Sequence, residues 1–379
     1  MMKSVDGKST GALAQWHTFQ EAMAQPAIWR SWAGTLASLA GEISLWIRSR
    51  DYDEIWFCGA RTSAFIGETL STYLNSKPGR ARYRSVPTTD LVSCPTNYIR
   101  SGVKVLVVSF GRSGNSSETI GTLDLLDRHA PDADRLNFTC NADGMLATHA
   151  APGPGEQRLV LLPPETNDQA LAMTSSYSTM LLSALACLDD HPPMPVADAI
   201  SRLASGAEAV LSQALVLARA AGAKTPSRAV FLGSGVLQGA AHESALKVLE
   251  LSAGAIPTLW DTTLGFRHGP KAVVDASTRV HVLVSGDRHT RRYDMDAANE
   301  IRAQFGANTV LTLGSDRDAV DLHVPAVGND AWTAVLYVVA AQMQAIVWSE
   351  MLSLDIDNPF SGGTVRRVVE GVTLYPLEQ

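Results

Sequence analysis

The chain has 379 residues, a net charge of −7, 46% hydrophobic residues and 18% charged ones. That length is too great for a typical single core and suits two domains of roughly 150 residues each, while the composition is that of an ordinary globular protein. The acidic balance excludes a general polyanion binder, and the densest basic stretches, Arg80-Ala-Arg-Tyr-Arg84 and Arg291-Arg292, are too short for a nucleic-acid stripe, so any anion held is expected to be small and gripped locally.

Residues Met1 to Trp16 lack the apolar core of a signal peptide. Cys58, Cys94, Cys140 and Cys187 are widely separated and form no CxxC pair. That spacing argues against a disulfide framework or zinc knuckle and fits a reducing, cytoplasmic setting. Helical spacing runs over about 18–49, and strand signals begin at Asp53. A short apolar run, Glu54–Cys58, ends in Gly59 and a small-residue turn, then a helical stretch reaches about Leu74. A second run, Val103–Val108, leads into Ser109-Phe-Gly-Arg-Ser-Gly-Asn-Ser116 and a helix over 118–128. Runs at 135–139 and 159–162 precede a helix over 175–188, and the Pro-rich stretch 191–195 ends this half.

The second half repeats the order, with strand-like runs at 228–232, 279–284, 309–313 and 321–324. Gly59 and Gly233 lie about 174 residues apart, a period right for a duplicated domain rather than a solenoid. Short apolar strands alternating with helices imply doubly wound parallel sheets, which collect ligands beyond the carboxyl ends of their strands. The apolar stretch Trp332–Trp348, interrupted by Gln342 and Gln344, is expected to be a buried helix and not a membrane span. The expected division is a helical segment over 1–52, a first domain over 53–190, a connecting helix over 191–224 and a second domain over 225–379.

Four features could carry chemistry. The turn Ser109–Ser116 offers backbone N–H groups, hydroxyls and a helix start, which together suit a phosphate, although Ser116 or Ser117 would also serve as a plain helix cap. It lacks GxxxxGK[ST], so a nucleotide triphosphate is not expected. Thr62-Ser63 and Thr174-Ser175-Ser176 add hydroxyls at other carboxyl-end positions. Glu243, Lys247 and Glu250 share one helical face. Such a face is commonly a solvated ion-pair stripe, but the small apolar flanks point to burial, where a carboxylate with raised pKa would suit proton abstraction beside a carbonyl. His268, between glycines and before Pro270, sits in a loop and is either simply exposed or placed to move a proton at neutral pH. No metal-ligand pattern appears, and neither a metal nor a cofactor is expected.

These residues resemble the double sugar-isomerase (SIS) domain family, most nearly its D-galactosamine-6-phosphate deaminase/isomerase group, also called tagatose-6-phosphate ketose/aldose isomerases. The resemblance rests on Gly59–Gly67, Val86–Val92, Ser109–Ser116, Ala172–Ser176, Leu232–Gly235, Glu243–Leu251, Gly265–Lys271 and Gly363–Val369, in that order from about residue 55 onward. It implies two tandem SIS domains, the second with a C-terminal active-site tail. By its similarity to glucosamine-6-phosphate synthase it implies sugar-phosphate contacts from Thr62, Ser63, Ser113, Ser116 and Ser175, and Ser109, Arg112 and Thr364 are expected to bind substrate beside them. It further implies a proton shuttle at Glu250, ring opening by His268 donated from a partner subunit in a homodimer, and supporting roles for Glu243 and Lys247. The synthase's glutaminase domain has no counterpart, and Thr364 stands where the synthase has a Schiff-base lysine, so no covalent imine is expected there. Arg366 and Arg367 are left only a part in holding substrate. The implied reaction turns D-galactosamine 6-phosphate into tagatose 6-phosphate and ammonia. The alternatives are simple aldose–ketose isomerisation, a sugar-phosphate-binding regulator, an aminotransferase or deglycase, and a dinucleotide enzyme built on Gly233-Ser-Gly-Val-Leu-Gln-Gly239 with Asp261.

Overall fold

The computed structural model describes residues 11–220 and 223–377. Residues 1–10, expected to lack a signal-peptide core, lie outside the described residues, as do residues 221–222 of the expected connecting segment and the last two positions. The first half contains α1 (His17–Arg48), β1 (Glu54–Cys58), α2 (Thr62–Asn75), β2 (Arg82–Ser85), α3 (Thr88–Ser93) and β3 (Val105–Gly111). It continues with α4 (Ser117–His129), β4 (Asp134–Thr139), α5 (Met145–Thr148), β5 (Gln157–Leu161) and α6 (Ser175–Leu188). The second half contains α7 (Val196–Ala218), β6 (Arg228–Gly233), α8 (Gln238–Leu251), β7 (Thr258–Asp261) and β8 (Thr278–Leu283). There follow α9 (Arg288–Phe305), β9 (Val310–Gly314), β10 (Leu322–His323) and α10 (Asp330–Met351).

The chain forms two compact units. One holds Gly34–Asn167, Ser175–Pro192 and the segment from Arg366 onward; the other holds the chain up to Ala33, Asp168–Thr174 and Pro193–Val365. Each contains a five-stranded parallel sheet, ordered β2-β1-β3-β4-β5 in the first and β7-β6-β8-β9-β10 in the second. Both are the doubly wound 2-1-3-4-5 order, which reverses once, between β1 and β3 and between β6 and β8. With their helices these are two doubly wound α/β units, as the sequence leads one to expect.

Burial explains which strands the sequence shows. β1, β3 and β4 are buried at every position; β1 and β3 carry the apolar runs that such burial favours, whereas β4 (DRLNFT) buries Asp134, Arg135, Asn137 and Thr139 as well. The edge strands β2 (RYRS) and β7 (TLWD) have no such run and escape detection, because one side of an edge strand faces solvent. The basic stretch at 80–84 runs into β2 and is paired with acids: Arg80, just before the strand, pairs with Asp51 and with Asp53, and Arg84 lies 3.0 Å from Glu54. The structure corrects one boundary that bears on the site. β3 runs through Ser109 to Gly111, since its neighbours β1 and β4 continue the ladder there, so Ser109 is a strand residue and the turn begins at Arg112.

α10 packs on α7 and α8 within the second sheet's unit. Among the described residues it is the one helix long and apolar enough to cross a membrane, and 94% of its apolar stretch is buried, as in a core helix.

Candidate active site

Two groups of candidate side chains stand out, one at the strand ends of the first sheet and one along a helix of the second unit. In the first, Cys58 of β1 lies opposite Ser109 of β3, so the residues following these strands emerge side by side at the order reversal. A Cβ on Gly59 would stand 2.6 Å from the Ser63 Cβ and 2.7 Å from its carbonyl carbon. Only glycine therefore lets α2 begin directly beyond β1, bringing Thr62 (3% exposed) and Ser63 (5%) to the strand end. Beyond β3 the chain turns through Gly114, whose φ of +68° is left-handed.

Ser116 caps α4: its Oγ accepts from the Thr119 N–H at 3.2 Å and lies 2.9 Å from the Thr119 hydroxyl. The capping reading therefore holds for this serine. Ser113 Oγ accepts from the Asn115 N–H at 3.3 Å, and Asn141 Nδ2 donates to the Ser113 carbonyl at 2.9 Å. Ser113 and Ser116 are half-buried, whereas Ser109, Arg112 and Ser175, the first residue of α6, are buried. Glu118 in the first turn of α4 occupies part of the positive end of the helix dipole. An anion here would be held chiefly by hydroxyls, backbone N–H groups and the Arg112 guanidinium.

The chain's last segment crosses the start of α4. Ser117 N–H donates to the Val369 carbonyl at 3.0 Å, and the Val372 N–H to Ser117 Oγ at 3.3 Å. Arg112 Nη2 donates to the Arg367 carbonyl at 3.0 Å, while Arg367 Nη2 reaches Asn167 Oδ1 at 2.9 Å. These contacts give Arg367 a place that sequence alone left open.

In the second unit, Glu243, Lys247 and Glu250 form a buried row along α8, not a solvated stripe. Lys247 (1% exposed) lies 3.3 Å from Glu243 Oε1 and 2.7 Å from Glu250 Oε2. Burial works against the ammonium's charge, but the two carboxylates outweigh it and hold its pKa above the usual lysine value. Glu243 is fully buried, and Glu250, 20% exposed, is the member of the row that reaches solvent. A carboxylate steadied by a permanent ammonium and open on one side can accept and return a proton. His268 is exposed at the end of a 3₁₀ turn, Gly265–His268, and Thr364 is exposed beyond α10.

The glycine turn of the dinucleotide alternative serves other ends. Ser234 Oγ donates to Asp294, and Asp261 Oδ1 accepts the N–H of its own neighbour, Thr262, at 2.7 Å. Sequence reasoning missed Asp294, together with Thr263, Ser285 and Asp330 around it. The available signal was spacing: Asp294 precedes the buried Ala297, Ala298 and Ile301 by three, four and seven residues, which puts an acid on the buried face of α9.

No family model matches the chain. A D-galactosamine-6-phosphate deaminase AgaS from Shewanella sp. (strain ANA-3) is 36% identical over 366 residues, covering 95% of this chain and 92% of that protein. The chain belongs to the AgaS family. An Escherichia coli AgaS, also named a D-galactosamine-6-phosphate deaminase, is 39% identical over 328 residues, 84% of each chain. Among solved structures, a tagatose-6-phosphate ketose/aldose isomerase from Escherichia coli superposes on this AgaS-family chain with a TM-score of 0.84 at 34% identity. That match covers 97% of this chain and 98% of the other.

Proposed function

We propose that the chain is an amino-sugar phosphate deaminase/isomerase that converts D-galactosamine 6-phosphate and water to tagatose 6-phosphate and ammonia. The observation that carries this reading is the buried Glu243–Lys247–Glu250 row in a chain whose AgaS relatives are named for that deamination. Thr62, Ser63, Ser109, Arg112, Ser113, Ser116 and Ser175 hold the sugar phosphate, with Thr364 as a further contact. His268 helps open the ring. Glu250 then takes the proton from carbon 2 and returns it to carbon 1, so the amine at carbon 2 becomes an imine. Water adds to that imine and ammonia leaves, giving the ketone. Lys247 keeps Glu250 oriented and balances its charge, and Glu243 holds Lys247 from the other side.

The enzyme acts in the cytoplasm as a homodimer, each subunit lending His268 to the other's site. Supporting this are four free cysteines and the exposure of His268 beside the exposed Leu264. The matching strand order of the two sheets supports a duplicated domain.

The test is ammonia release from galactosamine 6-phosphate, run beside glucosamine 6-phosphate. Ammonia together with a ketose 6-phosphate, faster from the galacto epimer, is expected. A second reading, isomerisation without deamination, is favoured by the name of the E. coli structural relative. It predicts no ammonia, but interconversion of tagatose 6-phosphate with its aldose. A regulator would bind these sugars and give no product.

A further inference from the structure

The order reversal of the second sheet lies between β6 and β8, and a side chain fills it from within. Ser234 follows β6, Thr263 follows β7 and Ser285 follows β8. Asp294 of α9, fully buried, gathers all three. Its Oδ1 accepts from Ser234 Oγ at 2.9 Å and from Thr263 Oγ1 at 3.0 Å, and its Oδ2 from the Ser285 N–H at 3.0 Å. The Ser234 and Thr263 hydroxyls lie 2.8 Å from each other. Burial raises the Asp294 pKa, the three hydrogen bonds oppose the rise, and Asp330 nearby adds to it. A carboxylate in so unfavourable a place has a structural consequence, and the contacts show which.

Thr263 opens the stretch that ends at His268. Downstream of it the Gly265 N–H donates to Thr262 Oγ1 at 3.0 Å and the Phe266 N–H to the Thr262 carbonyl at 3.0 Å, with the Phe266 ring buried. On the outer side Arg267 reaches Glu300 at 2.8 Å and Asp296 at 2.7 Å, and Lys271 pairs with Glu300. The same helix, α9, therefore holds the turn from inside through Asp294 and from outside through Asp296 and Glu300. The outer pairs are partly exposed and contribute little each. The inner contact is dry and directional, and it joins the turn to two other strand ends.

We infer that Asp294 is a positioning residue for His268: through Thr263 it fixes the turn 262–269 and so sets where the imidazole is presented. This rests on the role given above to His268. The test compares Thr263→Val, Thr263→Ser, Asp294→Asn and His268→Ala by kcat and KM for ammonia release from galactosamine 6-phosphate. Hydrogen exchange of the amides at 264–268 is followed in parallel. Thr263→Val keeps the side-chain shape but loses the donor, so it should fold even where Asp294→Asn does not. A misplacement on the order of 1 Å can cost about 100-fold in rate. Thr263→Val should lower kcat by about that factor, with KM little changed, and Thr263→Ser should restore it. In the His268→Ala background Thr263→Val should cost almost nothing further, because both act through one group. An equal loss in both backgrounds, or no rescue by serine, overturns the inference. Should His268→Ala leave kcat intact, the ring-opening role fails and exchange decides. Faster exchange at 264–268 in Thr263→Val upholds the positioning of the turn, and unchanged exchange refutes it.

Discussion

At the order reversal of its first sheet the chain places hydroxyls and a buried guanidinium, with Ser113 and Ser116 open to solvent on one side. At the corresponding point of the second sheet, Ser234 and Ser285 are present again, but two carboxylates, Asp294 and Asp330, take their hydrogen bonds. Strand order is the same in both, and so is the glycine at the first strand end, where a Cβ would lie 2.6 Å from Ser63 or 2.5 Å from the Leu237 carbonyl oxygen. A shared scaffold therefore carries hydroxyls and a guanidinium at one order reversal, and at the other its hydroxyls are taken by the chain's own acids. Under the proposed function, the second unit's chemistry moves to the flank of α8.

The largest expected effect tests that move. Glu250→Gln should lower turnover by at least about 10³-fold, within the range for loss of a general acid–base group. Binding of sugar phosphate, read by calorimetry, should stay within a few-fold. Undiminished turnover removes Glu250 from the role. Next is Lys247→Met, which removes the ammonium from beside the fully buried Glu243. Breaking such a pair costs about 3–5 kcal/mol, measurable by denaturant unfolding. An unchanged midpoint would show that the row does not hold the helix.

The same substitution in the two crevices should then read out differently. Ser113→Ala should raise KM with kcat nearly constant, by roughly 10–100-fold if its hydroxyl donates to a phosphate at about 1.5–3 kcal/mol. Ser285→Ala should leave KM alone and lower the melting temperature, because its hydroxyl donates to Asp330. A KM effect at Ser285 would break the comparison.

The smallest effect concerns the second sheet's core. β3 opens with an unbroken apolar run, whereas β8 carries His281, stacked on Phe231 at 4.4 Å and bonded to Gln344 at 2.6 Å. Burial, helped by Arg279, pushes its pKa down to about 3. The unfolded imidazole, with a pKa near 6.5, takes up a proton first as the medium acidifies. The stability is full above that value and falls as pH drops toward 3, by about 2 kcal/mol between pH 7 and pH 5. His281→Asn should flatten this acid limb in a melting-temperature profile, and an unchanged slope would place the titrating group elsewhere.

Much of this was legible in the residues. The α6 bounds and the shared face of Glu243, Lys247 and Glu250 follow from apolar runs and helical spacing, because a buried strand or helix must be apolar where it touches the core. The polar edge strands were not legible, nor was the reach of β3 through Ser109, since a ladder depends on neighbours supplied from far along the chain. Asp294 is harder still. In sequence it is one acid among many on a charged helix, and its importance comes from three donors carried by three other strand ends.

By itself the sequence determined the two α/β halves, their central strands and the residue types available for holding a phosphate and moving a proton. These depend on local pattern and composition, which each segment carries with it. Only the tertiary structure decided that the Glu243–Lys247–Glu250 row is buried, that the C-terminal segment crosses the start of α4, and that the second crevice is closed by Asp294. Burial and hydrogen-bond partnership are properties of what packs against a residue, and in each case the partner comes from another element of the fold.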